Sequence, residues 1–199
     1  MGTYTDGGIH QIHQQGKNIG FTMSKVVTLF GSSRPTEGDE GYQLAYEVGK
    51  QLTLAGFTVC NGGFGGSMEA SARGAKKAGG MTIGVTFNIK ERAANSWIDE
   101  NIHVPALIDR MMKLVELGDA YVVLKGGTVT LLELAAVWEF INKGLLAEKP
   151  IVMIGDFWQN VVETLREELL WEGVGDCTKF IHRASSPEEC ASFLKQRLS

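Results

Sequence analysis

Three short segments of this chain place glycine or serine directly after an apolar run: Gly31-Ser32-Ser33, Gly62-Gly63-Phe64-Gly65-Gly66 and Gly126-Gly127-Thr128. Each is followed by a helical pattern. At such a turn the free backbone N–H groups and the helix dipole both favour an anion, and phosphate is the natural guest. A tight strand-to-helix turn also selects glycine on steric grounds alone, so one such turn says little. Three on one edge say more. Two charged residues, Arg110 and Glu133, are the side chains best placed to act beside such a cradle.

Arg110 reaches that edge by arithmetic. A helix from about Arg110 to Leu117 rises about 12 Å, and a strand from Ala120 to Leu124 climbs back about 16 Å. Arg110 and Lys125 should therefore stand at the same level, although a solvated surface arginine is the plainer alternative. Glu133 lies on a helix, Leu131 to about Asn142, that is apolar almost all round and so should be buried on two sides. Leu131, Leu134, Ala135 and Trp138 should face the sheet. Glu133, aligned with Val137 and Phe140, should face a second subunit, which predicts a homodimer paired through this helix. Thr130-Leu131-Leu132-Glu133 also reads as a capping box in which Glu133 only ties down the helix start. Both readings can hold.

The elements that must position these residues alternate along the chain. Strands are expected at Val26–Phe30, Phe57–Cys60, Thr82–Thr86, Ala120–Leu124, Ile151–Ile154 and Phe180–His182. Helices are expected from Glu40 to Ala55, from Ser67 past Ala78, from Gln159 to Leu170 and from Pro187 onward. Residues 87–108 have weak periodicity and suggest a short strand with a mobile loop. Such alternation predicts an α/β fold: a Rossmann-like, doubly wound parallel sheet with helices on both faces. No G-x-G-x-x-G follows the first strand, which argues against a dehydrogenase.

Composition narrows the rest. The 199 residues suit one domain, residues 23–199. Residues 1–22 are set aside as a disordered tail or cloning remnant. The formal net charge is −4, with no basic run longer than Lys76-Lys77, so a nucleic-acid partner is not expected. Cys60, Cys177 and Cys190 lack metal or redox spacing and read as buried thiols of a reducing, cytoplasmic compartment. His10 and His13 fall in the set-aside segment, and neither a metal nor a cofactor is expected. No stretch is apolar enough to cross a membrane.

Lys125-Gly126-Gly127-Thr128-Val129-Thr130-Leu131-Leu132-Glu133 resembles the PGGxGTxxE signature of the Lonely Guy (LOG) family, proteins often mislabelled lysine decarboxylases. Arg110 stands fifteen residues before Lys125, the family's spacing for its catalytic arginine. Gly62-Gly63-Phe64-Gly65-Gly66-Ser67-Met68 is similar to its GGxxGxM turn, and Gly31-Ser32-Ser33 to its first-strand ending. The resemblance spans roughly residues 24 to 198. It implies a phosphoribohydrolase that splits a purine nucleoside 5′-monophosphate, with or without an N6 substituent such as a cytokinin carries, into base and ribose 5-phosphate. It also implies Arg110 and Glu133 as catalytic residues. Gly31, Ser32, Ser33, Gly62, Gly63, Gly66, Met68, Gly126, Gly127, Thr128 and Thr130 would bind substrate and its phosphate.

The chain departs from the pattern at Lys125 (proline in the family), Val129 (glycine), Met111 (lysine) and Asn61 (glycine). Val129 raises a specific concern, because a β-branched residue resists positive φ and would crowd the phosphate. These departures favour a rival reading, a nucleotide-binding or sensor module without turnover. A pyridoxal-phosphate decarboxylase is a second rival, and it needs a Schiff-base lysine in the pocket.

Overall fold

The structure, a computed structural model, describes residues 24–89, 92–173 and 175–199. Residues 1–22, with His10 and His13, lie outside them. Seven parallel strands form one sheet in the order β4-β3-β2-β1-β5-β6-β7. They are β1 Val26–Phe30, β2 Thr58–Asn61, β3 Thr82–Phe87, β4 Glu100–Val104, β5 Ala120–Val123, β6 Ile151–Ile154 and β7 Ile181–Ala184. The central four, β1, β2, β5 and β6, are nearly continuous in buried residues, as a strand covered on both faces requires. Edge strand β4 carries Glu100, Asn101 and His103, a polar composition that leaves little hydrophobic pattern to read.

Six helices cover the sheet: α1 Glu40–Leu54, α2 Ser67–Lys77, α3 Leu107–Leu117, α4 Thr128–Asn142, α5 Gln159–Trp171 and α6 Pro187–Leu198. α1, α2 and α6 pack one core, with Val48, Leu52, Ala75 and Leu194 against Val27, Leu29 and Val59. α3, α4 and α5 pack the other, with Leu114, Leu134, Val137 and Val162 against Phe30, Val85 and Val123. Small residues on α1 and α2 let the two helices approach closely. A Cβ on Gly74 would stand 2.0 Å from the Tyr46 carbonyl oxygen, and one on Gly49 the same distance from that of Ser71.

The order of winding reverses between β1 and β5, which pair in parallel from Val27–Ala120 to Phe30–Val123. Crossovers run outward to β2 on one side and to β6 on the other. A crevice must open where the loops leaving β1 and β5 diverge, beyond the carboxyl ends of the strands. Those loops are Gly31-Ser32-Ser33 and Lys125-Gly126-Gly127.

The described part of the 88–99 segment is tied down by its own polar groups. Asn95 Nδ2 donates to the carbonyls of Gly63 (3.0 Å) and Phe64 (2.9 Å), and Asp99 accepts from the Thr82 N–H at 2.9 Å. Among the described residues, no helix is long and apolar enough to cross a membrane. Cys60, Cys177 and Cys190 are free and buried, and burial pushes the Cys60 and Cys190 thiols up to about 12.

Candidate functional site

A cavity of about 470 Å³ occupies the crevice. The β1 loop lines one wall through Gly31, Ser32 and Ser33; the α4 N-terminus lines another through Gly127, Thr128 and Thr130. α4 begins at Thr128 with Gly127 as N-cap and no side chain accepting from its first turn. Its leading N–H groups are left for whatever enters. The corresponding turn of α2 is partly spent, because Ser67 N–H donates to the Ser32 carbonyl at 2.8 Å.

This start overturns the capping-box reading. The helix opens two residues before Thr130, so Thr130 sits inside the first turn and cannot cap it. The sheet-facing stripe is also different. Thr130, Glu133, Leu134, Val137, Trp138 and Ile141 are buried, whereas Leu132 and Ala135 point outward. Glu133 and Val137, expected to face a second subunit, are covered by this chain itself. Leu134 and Trp138 hold their expected place, and the buried stripe extends from them toward Glu133, Val137 and Ile141 and away from Ala135.

Glu133 and Arg110 meet at the cavity floor. Each is 5% exposed, and Arg110 Nη1 lies 3.5 Å from Glu133 Oε1. α3 starts at Leu107, which puts Arg110 in its first turn and aims it under the sheet edge. Its Nε donates to the Val85 carbonyl at 2.8 Å, and Nη2 lies 3.4 Å from the Met68 sulfur. The rings of Phe64 and Phe87 flank the guanidinium, with centroids 5.6 and 5.9 Å from its central carbon. Gly62 makes room for this, since a Cβ there would fall 1.3 Å from Arg110 Nη2.

Electrostatics leave the pair poised. Burial pushes the Glu133 carboxyl up from its ordinary 4.5 to about 7, and the Arg110 guanidinium only partly pulls it back. Burial likewise lowers Arg110, with Glu133 opposing the shift. Arginine keeps its charge under any such perturbation, so the group that titrates near neutrality is the acid. A carboxyl raised by desolvation beside one cation in a cleft is a common mark of a functional site.

The other expected site residues divide. Met68 and Gly62 line the cavity; Gly63, Gly66 and Gly126 do not. Gly63 turns the chain at φ +74° with its N–H held by Asn61 Oδ1 at 2.8 Å, and Gly66 is the N-cap of α2. Asn61, a departure from the family pattern, is wholly buried and builds this turn, also donating to the Met68 carbonyl at 2.8 Å. Val129 is helical, so the concern about positive φ does not arise; its side chain sits on the cavity wall. Phe87, Ile89, Leu107, Arg34 and Arg92 also line the cavity and escaped sequence reasoning. They share no spacing, and only Phe64 lay within a recognisable motif.

Residues 24–189 match the SLOG cluster4 family. The chain is 34% identical over 145 residues, 70% of its length and 75% of the relative's, to the cytokinin riboside 5′-monophosphate phosphoribohydrolase of Mycobacterium tuberculosis. It is 32% identical to the protein of that name from Rhodococcoides fascians, covering 66% of this chain and 68% of that one. A solved molybdenum cofactor binding protein of Rippkaea orientalis superimposes with a TM-score of 0.69 at 25% identity, over 89% of this chain and 99% of that one. With the glycine turns, the Arg110–Glu133 pair and the crevice all inside the matched span, the chain belongs to the SLOG cluster4 family, among the LOG-like proteins.

Proposed function

We propose that this protein hydrolyses the N-glycosidic bond of a purine nucleoside 5′-monophosphate. The observation that carries the reading is the buried Arg110–Glu133 pair at 3.5 Å, one helical turn below an uncapped helix N-terminus. The 5′-phosphate would sit on the N–H groups of Gly127, Thr128 and Thr130, and on Gly31, Ser32 and Ser33. The sugar would then lie over Glu133. As the C–N bond breaks, the base leaves with the bonding electrons and positive charge grows on the ribose. The Glu133 carboxylate stabilises that charge or orients the attacking water, whose oxygen bonds to C1′ while the base gains a proton. Arg110, fixed by the Val85 carbonyl, orients the substrate and favours departure of the base. The relatives named phosphoribohydrolases support this choice of substrate.

The test is direct: incubate the protein with a panel of nucleoside monophosphates and measure free base and ribose 5-phosphate. Absence of both across the panel rejects the reading.

One observation favours a binding module instead, the close superposition on a cofactor-binding protein. Nucleotide affinity by calorimetry without base release would select it. No specific observation favours the decarboxylase alternative: among the described residues, those lining the cavity include no lysine.

The proposal includes a homodimer. Ile108 and Met112 on α3, and Leu132 on α4, are 41–56% exposed on the two helices whose Arg110 and Glu133 meet. This outward face, and not the Glu133 side of α4, would pair with a second copy. Sedimentation of the wild type and of Leu132→Asp tests it, the variant being expected to run at half the mass.

A further inference from the structure

Beside the main cavity lies a second of about 440 Å³, and the two share Ser32 and Arg34. The first turn of α4 is the partition between them. Gly127 and Thr128 face the main cavity, and Gly126 and Lys125 face the neighbour. Lys125 lines this space and is exposed, with its ammonium 5.4 Å from the Phe157 ring centroid. Neither Lys125 nor Arg34 pairs with a carboxylate among the described residues. Among the described residues, the one acid lining this space, Asp39, is turned back on its own loop. Its Oδ2 accepts from the Thr36 N–H at 2.7 Å and hydroxyl at 3.0 Å, and these bonds hold its carboxyl below the usual range. The main cavity already has its own anion cradle, so Lys125, which lines only the neighbour, is surplus to a monophosphate.

We infer that the second cavity is a subsite for a further phosphate, so that the ligand of highest affinity is a nucleotide with a 5′-diphosphate or a longer anionic extension. This rests on the nucleotide reading above. The two cavities adjoin at Ser32 and Arg34, so a phosphate chain that begins on the α4 N-terminus would continue into the space lined by Arg34 and Lys125. Charge-assisted contacts to phosphate are the strong kind, and two of them outweigh the desolvation of exposed side chains.

Calorimetry on the full chain with the carbocyclic analogues of AMP and ADP tests this, because neither analogue has the ring oxygen needed for cleavage. The diphosphate should bind at least about tenfold more tightly. Lys125→Ala should remove most of that advantage and Lys125→Glu all of it, while affinity for the monophosphate changes by less than about twofold. Equal affinity for the two analogues in the wild type overturns the inference, as does a Lys125→Ala variant that weakens both alike. Failure of the hydrolase reading looks different: authentic AMP would stay intact while the diphosphate preference and its dependence on Lys125 persist.

Discussion

Two cavities of nearly equal size lie at opposite ends of the sheet. The one at the carboxyl ends is about 470 Å³; the other, at the amino ends of β6 and β7, is about 430 Å³. The second is also rich in charge, lined by Glu148, Lys149, Lys179, His182 and Arg197. None of these charged residues is fully buried, and they are occupied. Lys179 pairs with Glu148, His182 stacks on Phe193 with centroids 3.9 Å apart, and Arg197 covers the same ring. At the carboxyl end Arg34 and Arg92 are exposed, but Arg110 and Glu133 are buried and face each other at 3.5 Å on the cavity floor. Volume and charge count do not separate these regions. Desolvation does, because it stores unmet interaction that a substrate can satisfy.

The comparison breaks first at Glu133. Glu133→Gln keeps the shape of the carboxyl-end cavity and removes the charge that would meet the ribose cation, so base release should slow by about 10²- to 10⁴-fold. Nucleotide affinity by calorimetry should survive. Unchanged turnover would remove Glu133 from the mechanism. Gly62→Ala should follow at about 10²-fold, because the new Cβ would occupy the place of Arg110 Nη2 and push the guanidinium off the floor. Here kcat should fall more than KM rises, since the phosphate cradle is untouched.

Much of this region was legible in the sequence, and the illegible part has a physical reason. β1 and β6 fall where their apolar runs place them, and Arg110 reaches the predicted edge through simple helix and strand lengths. β4 was harder: an edge strand needs no buried alternation, and Glu100-Asn101-Ile102-His103 supplies none. Glu133 was identified, but its direction was not. A helix apolar all round carries no phase of its own, so its residues alone do not say which side meets the sheet. Arg34 and Arg92 were invisible because loop residues that converge in space share no period.

Acidity sharpens the comparison further. If Glu133 acts as a carboxylate, activity should rise with pH until the acid is ionised, near 7, and fall about tenfold per unit below that. The rising limb should vanish in Glu133→Gln. Stability runs the other way. A carboxyl whose pKa is raised from 4.5 to about 7 by folding binds its proton more tightly in the native state. Its contribution is present in full below about 4.5 and lost as pH rises through 7. Chemical denaturation of the wild type and Glu133→Gln at pH 5 and pH 8 should therefore show the difference shifting against the wild type at the higher pH. A constant difference would mean that the carboxyl is not raised.

The smallest effect belongs to the amino-end cavity, and it is expected to be nearly nothing. Lys179 and Glu148 are about 60% exposed, and an ion pair in that setting is worth roughly 0–1 kcal/mol. Arg197 touches the solvent side of Phe193, and its removal leaves no buried group without a partner. The double variant Lys179→Ala, Arg197→Ala should therefore lower the thermal midpoint by only a few degrees and leave base release within about twofold of wild type. A large loss of activity would mean that a charged, well-partnered cleft far from the α4 N-terminus takes part in the reaction. Desolvation would then no longer be what distinguishes the two ends of this sheet.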